Sequence, residues 1–141
     1  MDPTTTSIVT VPSGPDGRAN ERGIEGLYAT GHWLLSQDRP GDAASVFRAL
    51  ALVAPTDERS WLALGTAHEA LEQPEIALEM YGVGHVLGAP APRCDLSRAR
   101  LLRSMGRFED ADLALEHAGD AAEARGDDAL VELVAAEKRT R

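Results

Sequence analysis

From Ile24 onward, apolar residues recur every three or four positions, which is the spacing of one face of an α-helix. Alanine and leucine dominate these runs and β-branched residues are few, so the segment favours helices over strands. Short turns interrupt the pattern at regular intervals. We therefore predict an all-α fold for this part of the chain.

Residues 1–22 have a different composition. Pro3, Pro12 and Pro15 stand among glycines, threonines and serines, and no apolar periodicity is present. Such a segment buries too little apolar surface to offset the entropy that ordering would cost. We predict a disordered N-terminal tail over residues 1–22 and a folded domain over 23–141.

The helical part repeats with a period of 34 residues. Trp61, Leu64 and Gly65 are followed by Ala77 and Tyr81, which is the spacing of the tetratricopeptide repeat. The corresponding residues of the first copy are Leu27, Thr30, Gly31, Leu34, Ala43 and Phe47. The third copy keeps the small and large sizes with Ala99, Leu102, Ala111, Leu115 and Ala118. The predicted fold is a tetratricopeptide repeat solenoid, with three helix-turn-helix repeats over about 24–57, 58–91 and 92–125.

Each repeat is predicted to be a pair of packed helices. A small residue at Gly31, Gly65 or Ala99 lets the first helix approach the second, and large side chains fill the remaining space. The third copy keeps this arrangement although Asp95 replaces the Trp and Arg98 replaces the Leu. The predicted first helices are 24–37, 58–71 and 92–105, and the predicted second helices are 40–53, 74–87 and 108–124.

The turns and the C-terminal part carry signals of their own. Pro40 and Pro74 suit the first turn of a helix, because a backbone N–H there would have no acceptor within the helix and its absence in proline costs no hydrogen bond. Gly126 followed by Asp127 indicates the end of one helix and the N-cap of another. Since each repeat buries its apolar face only against its neighbours, we predict a C-terminal capping helix over about 127–139.

Charge and cysteine content narrow the class of partner. The chain carries a formal net charge of −9, whereas nucleic acids and anionic membranes are bound by clustered lysine and arginine. Cys94 is the single cysteine, so no internal disulfide can form. No apolar run approaches the ~20 residues of a membrane span, and the start lacks the features of a signal peptide. We expect a cytoplasmic protein whose partners are proteins, with no nucleic-acid or membrane binding.

The sequence offers no catalytic or cofactor-binding motif. Gly82-Val83-Gly84 falls inside a predicted helix and lacks the last glycine of a dinucleotide-binding loop. The histidines and Cys94 do not cluster at the spacing of metal ligands, and Cys94 has no histidine near it in sequence to activate it. We expect no enzyme activity, no cofactor and no metal.

A surface for binding is the remaining feature. The first helices of stacked repeats line a concave face, onto which repeat positions 2, 5, 9 and 12 project. Apolar and polar residues alternate there, which suits an extended peptide. The candidate peptide-binding residues are Tyr28, His32, Leu35, Leu62, Thr66, Glu69, Leu96 and Arg100. The leucines are equally compatible with places in the core, and the arginines between 93 and 107 with a solvated ionic face.

Several short runs go beyond the general repeat. They are Ile24-Glu25-Gly26-Leu27-Tyr28-Ala29, Val46-Phe47-Arg48-Ala49-Leu50, Asp57-Glu58-Arg59-Ser60-Trp61-Leu62-Ala63-Leu64-Gly65, Tyr81-Gly82-Val83-Gly84 and Pro92-Arg93. In combination they resemble the class II chaperones of type III secretion systems, of the SycD/LcrH type. The resemblance covers about two thirds of the chain, from Ile24 to about Gly119.

The resemblance implies a cytoplasmic chaperone. Members of this family hold hydrophobic translocator proteins, the pore formers of the secretion apparatus, before export. They bind a short extended client segment, whose proline and leucine side chains enter pockets on the concave face. The matching positions here are Tyr28, His32, Leu35, Leu62, Thr66 and Leu96. A homodimer and a complex with a transcription regulator are further partners that the resemblance leaves open.

Two other functions remain open from the residues alone. A generic tetratricopeptide repeat protein can serve as an adaptor between subunits of another assembly, or as a regulatory co-activator. An enzyme built on the array is the third alternative. It would need a catalytic constellation, which the sequence does not show.

Overall fold

A computed structural model describes residues 17–140, with side chains described from Asn20 onward. Within this range the chain forms seven helices and no strand. The helices are α1 (Gly17–Ser36), α2 (Pro40–Val53), α3 (Glu58–Ala70), α4 (Pro74–Leu87), α5 (Pro92–Ser104), α6 (Phe108–Arg125) and α7 (Asp128–Arg139). Three helical hairpins followed by a single helix confirm the predicted all-α tetratricopeptide architecture.

The predicted bounds of α2 to α7 agree with the structure to within a residue, but the predicted start of α1 is wrong. This helix begins at Gly17 rather than at 24. Glu21 and Arg22 are exposed helix formers, and a helix already nucleated by packing propagates at little cost. Of the predicted tail, residues 1–16 lie outside the described part and residues 17–22 are helical.

In the first two repeats the close approach of the two helices depends on glycine. A Cβ atom placed on Gly31 would lie 2.2 Å from the ring of Phe47, and one on Gly65 would lie 2.2 Å from the ring of Tyr81. Phe47 and Tyr81 are buried and occupy equivalent repeat positions. The ring of the second helix therefore fills the space that glycine leaves on the first, as the small-to-large pattern predicts.

The turn inside each hairpin has the same backbone form. Asp38, Glu72 and Gly106 have positive φ angles of 57°, 58° and 76°. In each hairpin the amide of the next residue donates to the carbonyl five residues earlier, at 2.9–3.0 Å. This left-handed residue closes the first helix and lets Pro40 and Pro74 open the second.

The buried side chains form two clusters along the solenoid. One surrounds Phe47 between α1, α2 and α3, and the other surrounds Tyr81 and reaches through α5 and α6 to Val134 of α7. Helix α7 packs on α6, and the Asp127 carboxylate caps it by accepting from the amide of Leu130 at 3.1 Å. Across the repeats α1 contacts α3 and α3 contacts α5, so the first helices lie side by side.

A buried carboxylate joins the second and third repeats. Glu58 is 4% exposed, and its Oε2 accepts a hydrogen bond from the backbone N–H of Arg93 at 3.2 Å, in the first turn of α5. A Cβ placed on Gly88 would lie 3.0 Å from the Cα of Glu58, so the two segments are in close contact. Burial raises the pKa of the Glu58 carboxyl above its ordinary value, although the charge of Arg125 acts in the opposite direction.

Replacing Phe47 by alanine should lower the free energy of unfolding by roughly 3–5 kcal/mol, because the side chain is 0% exposed and would leave a cavity against Gly31. Phe108→Ala is the matched control, since that ring is 59% exposed and its removal should change stability by no more than about 0.5 kcal/mol. Urea denaturation followed by circular dichroism measures both. Equal effects of the two substitutions would contradict the packing described here.

Glu58→Gln should gain stability relative to the wild type as the pH rises from about 4 to 7. A carboxyl with a raised pKa contributes stability while it is protonated, and that contribution is lost as the pH rises through its pKa in the folded state. Glutamine stays neutral, and its oxygen can still accept from the Arg93 amide. Urea unfolding of both proteins across this range measures the difference. A difference that shrinks with rising pH would show that the ionised carboxylate stabilises the fold.

Candidate peptide-binding site

We define the groove as the face of α1, α3 and α5 that carries repeat positions 2, 5, 9 and 12, which is the predicted peptide-binding surface. The structure places Tyr28, His32 and Leu35 on α1, Leu62, Thr66 and Glu69 on α3, and Leu96 and Arg100 on α5. Exposed members are His32, Thr66, Glu69 and Arg100, and half-buried members are Tyr28, Leu35 and Leu62. Partly buried apolar side chains therefore lie between exposed polar ones.

Arg59 of α3 makes one charged contact with α1 and another with the N-cap of its own helix. Its Nη1 lies 2.9 Å from Oε1 of Glu25, and its Nη2 lies 2.9 Å from Oδ2 of Asp57. The guanidinium carbon is 5.2 Å from the centroid of the Tyr28 ring, within the range of a cation–π interaction. Hydrogen bonds to both carboxylates raise the pKa of Arg59. This side chain orders the N-terminal end of the groove and was missing from the candidate set, although it occupies position 2 of its repeat.

Aromatic rings connect the groove to the core of the first repeat. The rings of Tyr28 and His32 lie edge to face with centroids 4.4 Å apart, and the His32 ring meets that of Phe47 in the same way at 5.3 Å. His32 is exposed, whereas Phe47 is buried. The orientation of the two groove rings is thus set by the ring that fills the space beside Gly31.

The middle of the groove is built on α3. Leu62 is half-buried against the cluster around Tyr81, and the hydroxyl of Thr66 donates to the carbonyl of Leu62 at 2.8 Å. The hydroxyl of Tyr81 donates to the carboxylate of Glu69, and burial together with this bond raises the pKa of Tyr81. Glu69 is therefore held from beneath by a residue of α4.

Leu96 lies in the core rather than at the surface of the groove. It is 4% exposed and belongs to the cluster around Tyr81. Of the two positions that the sequence allows for the leucines, the groove surface and the core, Leu96 occupies the core. Leu62 precedes it by one repeat and stays half-buried, so equivalent positions differ in depth. In the described structure Leu96 supports the groove from below.

Arg100 forms an ion pair at the C-terminal end of the groove. Its Nη2 lies 2.6 Å from Oε1 of Glu137, and Nη1 of Arg103 lies 3.5 Å from Oε2 of the same carboxylate. Glu137 belongs to the capping helix and was missing from the candidate set. The signal was available, because Glu137 follows Arg103 by one further period of 34 residues. Helix α7 therefore borders the groove at its C-terminal end.

A second polar cluster lies outside the groove, where α4, α5 and α6 meet. Nδ1 of His85 lies 2.7 Å from Oδ1 of Asp95, and the His85 ring stacks on that of His117 with centroids 4.9 Å apart. These side chains border a cleft of about 390 Å³. Burial raises the pKa of Asp95, against the opposing charge of His85. The sequence spacing did not reveal this cluster, because its members lie on three different helices.

The cysteine has the environment of a core residue. Cys94 is buried, and a Cβ placed on Gly84 would lie 2.6 Å from its Sγ, so the helices pack closely there. Burial raises the pKa of the Cys94 thiol well above its ordinary value, which opposes formation of the thiolate. Residues 17–140 contain no group of three or more side chains suited to a metal ion.

No helix in the described range is long and apolar enough to cross a membrane. Three stacked helical hairpins, a capping helix and a face of mixed polarity along the first helices define a tetratricopeptide repeat protein with a candidate peptide-binding groove.

Comparison with known proteins narrows this class. No protein-family model matches the sequence. The chain is 28% identical over 92 residues to Low calcium response locus protein H of Yersinia pestis, a match that covers 65% of this chain and 55% of that protein. The chain thus spans about half the length of the curated relatives it matches.

Solved structures match over more of their length. PcrH, a protein of Pseudomonas aeruginosa, in complex with the chaperone binding region of PopD, has a TM-score of 0.70 and 28% identity, with 83% of this chain and 89% of that chain covered. The type III secretion translocator chaperone SycD of Yersinia enterocolitica has a TM-score of 0.72 and 25% identity, with 89% and 97% covered. These findings confirm the resemblance to the class II chaperones of type III secretion systems.

Proposed function

We propose that this chain is a cytoplasmic chaperone of a type III secretion system, which binds an extended segment of hydrophobic translocator proteins in its concave groove. The observation that carries the proposal is the likeness to PcrH, which has been solved with the chaperone binding region of PopD and with that of PopB. SycD, which is similar over 97% of its chain, is described as a translocator chaperone.

The groove has the chemistry that such a segment needs. Tyr28, Leu35 and Leu62 are half-buried and offer apolar contacts to client side chains. His32 and Thr66 are exposed beside them and can exchange hydrogen bonds with a client backbone. An extended segment lying across α1 and α3 would meet both kinds of group at once.

A chaperone of this kind acts by mass action. When the groove covers an apolar segment of the client, that segment is withdrawn from aggregation and from contact with membranes. The proposal includes no chemical step, so it requires no nucleotide and no cofactor. The net charge of −9 favours solubility and opposes binding to anionic lipid. A homodimer and a regulatory partner remain predictions.

Co-expression with hydrophobic translocators from the same source, followed by pull-down and size-exclusion chromatography, tests the proposal. We expect a soluble stoichiometric complex. The Tyr28→Ala, Leu62→Ala double variant should bind the client at least about tenfold more weakly, because it removes two half-buried apolar contacts of the groove. Its circular dichroism should keep the helical signature.

Val86→Ala with Leu113→Ala is the matched control. Both side chains are exposed and lie on second helices, outside the groove positions, so this double variant should bind like the wild type. If the groove and control variants bound the client equally well, the groove would be the wrong site. If the folded wild type formed no complex, the generic adaptor would become the better hypothesis.

A further inference from the structure

The groove changes its charge along its length. Among the groove positions, α1 contributes the carboxylate of Glu25 and no lysine or arginine, and α3 contributes one group of each sign with Arg59 and Glu69. Helix α5 contributes only cations, and these are Arg93, Arg100 and Arg103. Equivalent positions of successive repeats therefore run from acidic to basic.

Ion pairing within the protein increases the difference in charge between the two ends of the groove. Arg59 lies between two carboxylates, those of Glu25 and Asp57, so the N-terminal end holds more negative than positive charge. At the other end Arg100 and Arg103 share the single carboxylate of Glu137. In the ion pairs of the described residues these two guanidinium groups share one carboxylate, and the carboxylate of Asp112 borders the same cleft as Arg103.

Arg93 adds a third cation to this end. Its side chain is exposed and makes no ion pair among the described residues. Its backbone amide is occupied by the Glu58 carboxylate, which fixes the start of α5 and therefore the place from which the side chain projects. A guanidinium held in this way can bind a carboxylate of a partner with two hydrogen bonds.

The position of this basic end is unusual for the protein as a whole. The chain has a net charge of −9, yet the groove positions of α5 carry three positive charges. A local cluster of one sign in a protein of the other sign attracts a complementary segment and fixes its direction of binding. A client that only needed apolar contacts would gain nothing from it.

We propose that the basic end of the groove, formed by Arg93, Arg100 and Arg103, binds acidic side chains of the client next to its apolar anchor. This inference rests on the proposed function and adds to it the charge pattern of the client. Packed helices lie about 8–10 Å apart and an extended chain advances about 3.3 Å per residue. The acidic side chain therefore lies roughly three residues from the apolar side chain that contacts Leu62.

The test uses the client fragment that stays bound when limited proteolysis trims the co-purified complex. Its affinity for the wild type and for the Arg93→Gln, Arg100→Gln double variant is measured by titration at about 50 mM and 500 mM NaCl. We expect the variant to bind about tenfold more weakly at low salt and the difference to shrink at high salt, because salt screens exposed ion pairs.

Arg39→Gln with Arg48→Gln is the matched control. Both arginines are exposed; Arg39 directly precedes α2, a second helix, and Arg48 belongs to it. The control variant therefore loses the same charge as the groove variant, but outside the groove. It should bind the fragment like the wild type at both salt concentrations. A loss equal to that of the groove variant would mean that net charge alone is responsible, and would overturn the proposal.

Changing the acidic residues of the client fragment to asparagine or glutamine completes a double-mutant cycle with the groove variant. We expect the changed fragment to lose about tenfold in affinity for the wild type and to lose little more for the groove variant, since the two changes remove one interaction. Additive losses, or a fragment without an acidic residue within about five positions of its apolar anchor, would overturn the proposal. Absence of any complex with the wild type would instead contradict the proposed function.

Discussion

The contact between a small residue on the first helix and a large side chain on the second is the constraint on which the rest of the solenoid depends. The rings of Phe47 and Tyr81 occupy the space where a Cβ of Gly31 or Gly65 would lie. This contact sets the distance between the two helices of a repeat. Because the contact recurs after 34 residues, the first helices are displaced by the same step and present one continuous face.

The same rings also position groove residues. Phe47 meets the ring of His32, and the hydroxyl of Tyr81 donates to the carboxylate of Glu69. Core packing and the binding surface are therefore coupled through single side chains. The tyrosine that replaces phenylalanine in the second repeat keeps the apolar contact with Gly65 and adds a hydrogen-bond donor that reaches the surface.

Much of the fold could be predicted from the sequence, because repeat spacing and turn residues determine where helices begin and end. Pro40 and Gly126 mark such ends, and the structure agrees with both. The extension of α1 to Gly17 was missed, since propagation of a helix needs no apolar pattern. The depth of Leu96 depends on how far neighbouring helices overlap, which spacing along one chain does not specify.

The third repeat has exchanged apolar packing for charge. Asp95 and Arg98 stand where the second repeat has Trp61 and Leu64, and His85 stands where Ala51 lies one repeat earlier. A buried carboxylate in place of tryptophan would destabilise the junction without a partner, and His85 supplies one at 2.7 Å.

The repeat that departs most from the pattern is also the one that carries three arginines at its groove positions. The stacking of the repeats tolerates this, because the contact of small and large residues is retained through Ala99 and Leu115, both of which are buried. Packing therefore constrains a few positions of each repeat, and the positions it leaves free are those where the charge of the groove is set.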